Sequence, residues 1–434
     1  METEAAYNQA LDYLYSFVDY SLKKSSELAK ADFNLDRMRA LMAALGDPQA
    51  AYPILHVAGT KGKGSTAALA AAALRAAGFR TGLYTSPHLQ DYVERIQVDG
   101  VPVSHAGLTA LVEELKPAVA RVPKLTTFEI TTALGLLYFA RQKVGAAVVE
   151  VGLGGRLDAT NVVRPRVAVI TSLSYDHMAV LGNTLTLIAG EKAGIIKEGV
   201  PVVSSPQKDE ALAVLERVAA ERSAPLTLVG RDITYQAGPH SLDGQQLTVA
   251  GAALTIPLLG SHQVVNAATA YAALQVSGLA VSRQAIVDGF ASVSWPCRFE
   301  VVRREPPLVL DSAHNVDSAE HLCRTLQEYF PGRKAILIFG SSEDKDIPGM
   351  LGALRPCLER VIVTQAVHPR AMRPEQLVET ATRLGVAAEA VVPVEAALAR
   401  ALDLSRAGGQ TVVSAGSMFV TAEVRTAWQN MERA

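Results

Sequence analysis

Short apolar runs alternate with helical stretches along most of this chain, and this alternation limits the fold more than any other feature. The runs "PILHVAG", "RTGLYTS", "GAAVVEVG", "RVAVITS" and "PVVSS" have the length and residue types of β-strands. Helical stretches such as "STAALAAAALRAAG" and "EITTALGLLYFARQK" lie between them. This order predicts parallel strands joined by helical crossovers. Because the strands are apolar at nearly every position, we expect a sheet that is covered on both faces.

The pattern changes twice further along the chain. From about Pro225 to Leu259 four short strands follow one another without a helix, which predicts a small antiparallel β patch. The stretch "SWPCRFE" then reads as a linker, and a second series of strands and helices follows it. A chain of 434 residues exceeds what one core usually organises. We therefore predict a doubly wound parallel α/β domain over residues 1–294 and a smaller Rossmann-like α/β domain over residues 295–434.

Composition and charge exclude several classes of protein. The formal net charge is -2, which argues against a nucleic-acid-binding surface. No apolar run is long enough to cross a membrane, and the N-terminal stretch lacks the order of a signal peptide. The three scattered cysteines, Cys297, Cys323 and Cys357, argue against a disulfide framework or a zinc cluster. We expect a cytoplasmic, monomeric protein whose cysteines are inert apolar thiols.

The stretch "HVAGTKGKGST" has the features of a phosphate-binding loop, although its spacing is unusual. The common pattern needs a glycine six residues before the lysine and Ser or Thr directly after it. Around Lys63 those positions hold Val57 and Gly64. The loop glycines let backbone N–H groups approach an anion, and the following helix adds partial positive charge. Phosphate binding is the favoured interpretation, with a glycine-rich βα turn as the alternative.

Polar residues also follow other predicted strands, at what should be the same edge of the sheet. Glu150 ends an apolar strand, where a carboxylate is costly unless it is paired or bound to metal. Ser86 and His177 follow two further strands. Mg²⁺ prefers oxygen ligands, so Ser86 and Glu150 suit it better than His177 does. The residues alone predict that Lys192 and Lys197 are solvated lysines on an amphipathic helix.

Together these motifs resemble the folylpolyglutamate synthases. The segments "HVAGTKGKGST", "TSPHL", "TTFEITT", "VEVGLGGRLDATN", "DHMAVLG" and "EKAGIIK" follow in that family's order, and "HQVVNAATA", "WPCRFE", "LDSAHN" and "EDKD" continue the match. The resemblance runs from about Tyr7 to Met418. That family belongs to the Mur-type amide ligases, which activate a carboxylate with ATP. The resemblance therefore implies a P-loop ATPase-like first domain and a glutamate-ligase second domain.

The resemblance also assigns expected roles to individual residues. The ATP phosphates would be held by Gly59, Thr60, Lys61, Gly62, Lys63, Gly64, Ser65 and Thr66. The rest of the nucleotide would be held by Asn266, Arg298 and Asp311, and two Mg²⁺ ions by Ser86, Glu150 and His177. The pterin positions are Thr126, Phe128 and Asp158. Catalytic roles fall to Lys63, to Lys192 as a carbamylated lysine, and to His314 beside Asn315 in the segment that faces the cleft. Lys61 departs from the family, because many members have Asn there.

The implied reaction joins L-glutamate to a folate-type carboxylate. ATP would phosphorylate the carboxylate, and the glutamate amino group would attack the acyl phosphate to give an amide, ADP and phosphate. Two alternatives remain open, namely a Mur-type ligase for a cell-wall precursor and a non-catalytic ATP-binding switch. The choice between dihydropteroate and folate as the acceptor also stays open. The N-terminal segment "LAKADFNLDRMRALMAALG" is a further candidate for contact with the pterin.

Overall fold

The computed structural model describes residues 2–19 and 33–433, which form two compact units. The first unit contains the chain up to Gly238, together with residues 246–256 and 263–293. The second contains the chain from Ser294 onward and the short segments 239–245 and 257–262. The sequence-based division into residues 1–294 and 295–434 did not place these two segments in its second part. Of the predicted pterin segment "LAKADFNLDRMRALMAALG", residues 28–32 lie outside the described residues.

The first unit is built on an eight-stranded sheet with β1 near its middle. The strand order is β4-β3-β2-β5-β1-β6-β7-β8. The strands are β1 (Ile54–Ala58), β2 (Thr81–Tyr84), β3 (Ile96–Val98), β4 (Val101–Pro102), β5 (Ala146–Glu150), β6 (Val167–Ile170), β7 (Val202–Ser204) and β8 (Leu226–Leu228). Along the sheet, β2, β5, β1, β6, β7 and β8 each pair in parallel with the next strand. The carboxyl ends of these six strands therefore lie at one edge of the sheet. Every residue of β1 and β5 is buried, as expected for a sheet covered on both faces.

Ten helices accompany these strands in the described chain before residue 294. They are α1 (Glu2–Tyr15), α2 (Asp36–Ala44), α3 (Lys63–Ala76), α4 (His105–Val119), α5 (Thr127–Arg141), α6 (Met178–Leu181), α7 (Leu185–Ala193), α8 (Asp209–Glu221), α9 (Ser261–Val276) and α10 (Arg283–Ala291). The alanine-rich helix α3 is buried continuously from Ser65 to Leu74. Small side chains favour the helix and allow close packing on every side. The prediction that this stretch forms a helix between two strands is confirmed.

Two details of the predicted sheet are corrected by the structure. The run "PLTLVG" forms β8, which pairs in parallel with β7, so it belongs to the large sheet and not to the antiparallel patch. The patch consists of β9 (Tyr235–Ser241), β10 (Gly244–Val249) and β11 (Ala252–Ile256), joined by two-residue turns. The antiparallel hairpin of β3 and β4 at the sheet edge was not predicted. Runs of only two or three residues carry too little periodicity to be recognised.

The second unit repeats the α/β principle around a six-stranded sheet. Its order is β12-β13-β17-β14-β15-β16, and only β12 pairs antiparallel, with β13. The strands are β12 (Glu300–Arg304), β13 (Pro307–Leu310), β14 (Ala335–Phe339), β15 (Leu358–Val363), β16 (Ala387–Ala390) and β17 (Thr411–Ala415). The helices are α11 (Val316–Tyr329), α12 (Ile347–Leu354), α13 (Pro374–Arg383), α14 (Val394–Gly408) and α15 (Met418–Arg433). The core includes Leu337, Phe339 and Val413, all fully buried.

The prediction of three free thiols is wrong for two of the cysteines. Cys323 of α11 and Cys357 form a disulfide, with Cα atoms 5.9 Å apart. They lie 34 residues apart in sequence, and sequence spacing alone does not reveal such a pair. Cys297 remains a buried free thiol, and burial raises its pKa to about 12. None of the helices in residues 2–19 and 33–433 is long and apolar enough to span a membrane.

Candidate functional site

The predicted phosphate loop leaves the carboxyl end of β1 and enters α3. Gly59 and Gly62 adopt positive φ angles of 155° and 84°, which disfavour residues with a side chain. A Cβ atom on Gly59 would overlap the Thr171 hydroxyl, and one on Gly62 would overlap the Asn266 side-chain oxygen. Asn266 lies in α9 and is itself held by Gln263 at 2.9 Å. The glycines are therefore required by close packing, and Asn266 is brought against the loop as the resemblance implies.

Backbone hydrogen bonds fix the start of the loop, whereas the end that enters α3 has N–H groups available for an anion. The N–H groups of Thr60 and Lys61 both donate to the Ser172 carbonyl at 3.0 Å. Lys63 opens α3, and the first turn of a helix has N–H groups without intrahelical partners. This is a favourable place for an anion. The Lys61 ammonium lies 3.2 Å from Asp176, so the residue that departs from the family has a carboxylate partner within the unit.

Lys63, Glu150 and Ser86 come together at the ends of three neighbouring strands. The Lys63 ammonium lies 4.0 Å from one oxygen of Glu150, and the Ser86 N–H donates to the other oxygen at 3.3 Å. Glu150 is only 5% exposed, and such burial is costly for a carboxylate that lacks partners. The alternative of a buried ion pair and the prediction of a metal ligand are both compatible with these contacts. A hydroxyl and a carboxylate are oxygen donors of the kind that Mg²⁺ takes.

His177 is placed differently from the other two predicted metal ligands. It lies at the start of α6 with a positive φ of 50° and a side chain that is 43% exposed. Its N–H donates to the side chain of Asp176 at 3.0 Å. Among the described residues, no three His, Cys, Asp or Glu side chains are grouped so that they could hold a metal ion. The roles of Ser86, Glu150 and His177 as metal ligands therefore stay predictions.

Lys192 is buried beside the loop and is not a solvated surface lysine. Only 4% of the residue is exposed, and its ammonium donates to the Gly59 carbonyl at 2.9 Å. Burial and, to a smaller extent, the positive charges of Lys63 and Lys61 lower the pKa of Lys192 to about 7, against the opposing effect of Asp176 and Asp158. The interpretation from the residues alone was wrong here because α7 turns this position toward the loop. The role near a metal that the resemblance implies for Lys192 stays a prediction.

The three predicted pterin positions lie at the start of α5 and in the loop after β5. The Thr126 hydroxyl accepts from the Glu129 N–H at 3.2 Å and caps α5. The half-buried Phe128 ring packs against the backbone of Gly152. Asp158 accepts hydrogen bonds within its own loop, including one from the Leu153 N–H at 2.8 Å. Burial raises the pKa of Asp158 against the opposing effect of these hydrogen bonds. The Thr126 hydroxyl and the Asp158 carboxylate therefore already have structural partners.

Glu129 is a site residue that the sequence analysis missed. Its carboxylate accepts from the Thr126 N–H at 2.7 Å, which completes a capping box, and it forms an ion pair with Arg37 at 3.1 Å. The side chains of Arg37 and Glu129 are 13% and 6% exposed. The pair fixes α2 to the start of α5, where Phe128 is presented. The capping pattern T-x-x-E in "TTFE" was a usable signal for this role.

In the second unit, Arg298 and Asp311 lie in one connected segment. The Asp311 carboxylate accepts from the N–H groups of Phe299 and Ala313, both at 2.8 Å. Burial raises the pKa of Asp311 to about 6, and the nearby Arg298 charge opposes this shift. Asp311 thus fixes the backbone at Phe299, directly after Arg298. The structure brings these two predicted residues together within their unit.

A small cavity of about 10 Å³, which is room for about one water molecule, lies beyond the strand ends of the second unit and was not predicted. Its lining includes Ser341, Thr364, Ser417 and Phe419, which follow or end β14, β15 and β17. The buried hydroxyls of Ser341 and Thr364 have no hydrogen-bond partner among the described residues. Unpaired buried hydroxyls are rare and suggest an absent ligand or water. The strand-end residues in "FGSS" and "SAGS" were the available signal.

His314 lies just before α11 in the same unit. Its Nδ1 atom is 2.8 Å from the Ser312 carbonyl, and its N–H donates to the Ser318 hydroxyl at 3.1 Å. Asn315 caps α11 by accepting from the Ser318 N–H at 3.0 Å. The ring of His314 is therefore held in one orientation by its own loop. Its catalytic role stays a prediction.

Comparison with known families covers both units. Residues 57–274 match the Mur ligase middle domain, and residues 297–418 match the Mur ligase glutamate ligase domain. The first match includes the loop, Glu150, Lys192 and Asn266, and the second includes Arg298, Asp311 and His314. The two matched ranges therefore contain candidate residues of both units.

Individual proteins resemble the chain over nearly its whole length. A dihydrofolate synthase/folylpolyglutamate synthase of Bacillus subtilis (strain 168) is 34% identical over 436 residues, covering 97% of this chain and 98% of that protein. The structure of a Mycobacterium tuberculosis folylpolyglutamate synthase complexed with ADP matches with a TM-score of 0.89 and 34% identity, over 98% of both chains. An E. coli FolC in complex with DHPP and ADP matches with a TM-score of 0.86 and 34% identity, over 99% of this chain and 98% of that one.

Proposed function

Because the chain belongs to the folylpolyglutamate synthase/dihydrofolate synthase family of Mur ligases, we propose that it joins L-glutamate to a folate-type carboxylate at the expense of ATP. The carboxylate takes the γ-phosphoryl group, the glutamate amino group displaces phosphate, and the products are an amide, ADP and phosphate. The observation that supports this best is the meeting of Lys63, Glu150 and Ser86 beside the first turn of α3.

The charges around the loop suit the first step of this reaction. An anionic carboxylate must approach an anionic phosphate, and positive charge at the loop offsets their repulsion. Lys63 supplies one cation, and the N–H groups of the first turn of α3 supply partial positive charge. The Lys61–Asp176 ion pair keeps the second lysine of the loop near the same place. Lys63 and the helix N-terminus would bind and orient the terminal phosphates.

Ser86 and Glu150 would hold Mg²⁺ at this site. The carboxylate of Glu150 is already fixed by the Ser86 N–H and lies 4.0 Å from Lys63. A bound Mg²⁺ neutralises phosphate charge and positions the phosphate oxygens. A second Mg²⁺ near His177 is implied by the resemblance alone.

Lys192 is proposed to carry a carbamate. The ammonium would first lose one proton; the resulting neutral amine would attack CO₂, forming an N–C bond and releasing a second proton, so that an anion replaces the cation. The reaction needs the unprotonated amine, and a pKa lowered to about 7 leaves much of Lys192 neutral at physiological pH. The product would remove a buried positive charge next to Lys63 and would supply oxygen donors near the loop.

An ADP-release assay tests the proposed function directly. The full chain receives ATP, Mg²⁺, L-glutamate and either dihydropteroate or tetrahydrofolate, and release with the first, the second or both decides between the two family activities. Replacing Lys63 with Gln should lower kcat by about 10²- to 10³-fold, because an electrostatic contact to the reacting phosphate is lost. The matched control is Lys143→Gln, an exposed lysine of the same unit. ATP binding without ADP release in every mixture would favour the switch alternative, and activity only with a cell-wall precursor would favour the other ligase.

A further inference from the structure

A polar cleft of about 380 Å³ lies on the first unit and plays no part in the proposed reaction. Its lining includes Arg39 of α2, Arg156 of the loop after β5, Lys197 and Arg222. Asn161 contributes to the wall as well. The four cationic residues come from four separate parts of the chain. The volume falls within the range of small-molecule sites.

Carboxylates balance only two of the four positive charges in this cleft, and one of these carboxylates, Asp36, belongs to its lining. Arg39 pairs with Asp36 at 2.9 Å, and Arg156 pairs with Glu191 at 2.8 Å. In the part of the chain that the structure describes, neither Lys197 nor Arg222 forms an ion pair. The Lys197 ammonium donates only to a backbone carbonyl, that of Asn161, at 2.9 Å. The cleft therefore carries an excess of positive charge.

The nearby charges of the cleft also act on the pKa of Lys197. Burial and, to a smaller extent, the positive charges of Arg39, Arg222 and Arg164 together lower the pKa of Lys197 to about 8. The charged groups that affect its pKa are thus all cationic, and no carboxylate opposes them. An anion in the cleft would offset this repulsion and would accept charge-assisted hydrogen bonds.

We propose that this cleft binds a small polyanion whose charges are carboxylates or phosphates. Arginine and lysine side chains from separate elements suit a ligand with several anionic groups better than one with a single charge. Two ligands share this chemistry, namely an oligo-γ-glutamyl chain and an inorganic polyphosphate. The first rests on the proposed function, because the proposed reaction would extend such a chain, and the second does not.

The loop after β5 connects this cleft to the candidate active site. Arg156 and Asn161 line the cleft. In the same loop, Asp158 is a predicted pterin position, and Gly152 packs against Phe128, which is another. Asn161 also ties the loop to the end of α7, since its side-chain amide donates to the carbonyls of Arg156 and Gly194 at 2.9 and 3.1 Å. A ligand in the cleft should therefore slow amide hydrogen exchange in residues 152–161.

Calorimetric titration of the full chain tests the proposal. Tri-γ-glutamate and tripolyphosphate are titrated separately at low salt, with the nucleotide loop saturated by AMPPCP so that it does not compete for phosphate. Arg222→Gln should raise Kd about tenfold, in line with the loss of one charge-assisted contact. Arg121→Gln, an exposed arginine that does not line the cleft, is the matched control. Lys197→Gln serves as a second variant.

The outcomes separate the two ligands and the two proposals. Binding of tri-γ-glutamate that Arg222→Gln weakens identifies a carboxylate site, and binding of tripolyphosphate alone identifies a phosphate site. Absence of binding by both, or affinities that Arg222→Gln and Lys197→Gln leave unchanged, overturns the proposal. If ADP release with folate substrates fails while a polyanion still binds in the Arg222-dependent manner, only the proposed function is lost.

Discussion

Lys192 and Lys197 lie five residues apart in one segment, yet their surroundings differ. Lys192 is 4% exposed, contacts the Gly59 carbonyl, and is influenced by Asp176 and Asp158 as well as by Lys63. Lys197 is half-buried, and the charges that affect its pKa are all cationic. Burial lowers the pKa of Lys192 to about 7 and that of Lys197 to about 8. Similar pKa shifts thus arise at a candidate catalytic site and at a separate basic cleft.

The difference teaches that a lowered pKa does not by itself identify a catalytic lysine. At Lys192 the surrounding groups of both signs belong to the phosphate loop and its neighbours. At Lys197 they are arginines, two of which, Arg39 and Arg222, line an open cleft. The contacts of each lysine, and not its pKa, decide which role is proposed. The following variants test this distinction, beginning with the largest expected effect.

Replacing Lys192 should cause the largest loss. Lys192→Gln removes both the contact to the Gly59 carbonyl and the amine that would form the carbamate. We expect kcat for ADP release to fall by about 10²- to 10³-fold, as for the loss of a group that stabilises transition-state charge. Lys143→Gln should leave kcat unchanged. A Lys192→Gln enzyme that keeps full activity would contradict the catalytic assignment.

Two arginines of α2 allow a nearly buried ion pair to be compared with an exposed one. Arg37 forms a nearly buried ion pair with Glu129, whereas Arg39 is 63% exposed and pairs with the exposed Asp36. Arg37→Met should lower the free energy of unfolding by about 3 kcal/mol, because the buried Glu129 carboxylate loses its counter-ion. Arg39→Met should change it by less than about 1 kcal/mol. Urea unfolding measures both, and equal effects would show that burial does not distinguish them.

The pH dependence of labelling distinguishes the lysines as carbamate sites. The pKa of Lys192 is lowered from 10.5 to about 7, so the neutral amine becomes the main form as the pH rises through about 7. Incorporation of isotope-labelled bicarbonate, measured by mass spectrometry after trapping, should rise over that range. Lys192→Arg should abolish the label. The assignment would be reversed if the label persisted in Lys192→Arg and peptide mapping located it at Lys197.

The same shifts predict how stability depends on pH. An unfolded lysine stays protonated up to its ordinary pKa of 10.5, whereas Lys192 in the native state loses its proton near 7. Between these values the unfolded state binds more protons, so the free energy of unfolding should rise with pH. The increase should be smaller in Lys192→Met. An equal slope in that variant would show that Lys192 does not titrate in this way.

The smallest expected effect comes from the helix that carries Lys192. Gly190 lies within α7, and a Cβ atom there would meet no other atom within 4 Å. Gly190→Ala should therefore raise the free energy of unfolding by up to about 1 kcal/mol through helix propensity. The contrasting variant is Gly62→Ala, which should lower stability and nucleotide affinity because of its positive φ and the overlap with Asn266. Calorimetric melting and ADP titration measure the two effects.

Much of the site was predictable because strand ends in a parallel sheet meet at one edge. This rule placed the Gly59–Thr66 loop, Ser86 and Glu150 together, and the structure confirms their proximity. The resemblance added Lys192 and Asn266, whose local sequence carries no sign of their burial. Glu129 and the second-unit cavity were missed, although a capping pattern and strand-end serines pointed to them.

The sequence by itself determined the α/β class, the two series of strands and helices, and the type of loop, because periodicity and glycine placement are local properties. Tertiary structure alone decided which lysine is buried, that Lys61 meets Asp176, that Cys323 bonds to Cys357, and that four cations line one cleft. These outcomes depend on contacts between residues far apart in the chain. Burial and charge neighbours arise only when such segments pack, and they set the pKa and partner of each group.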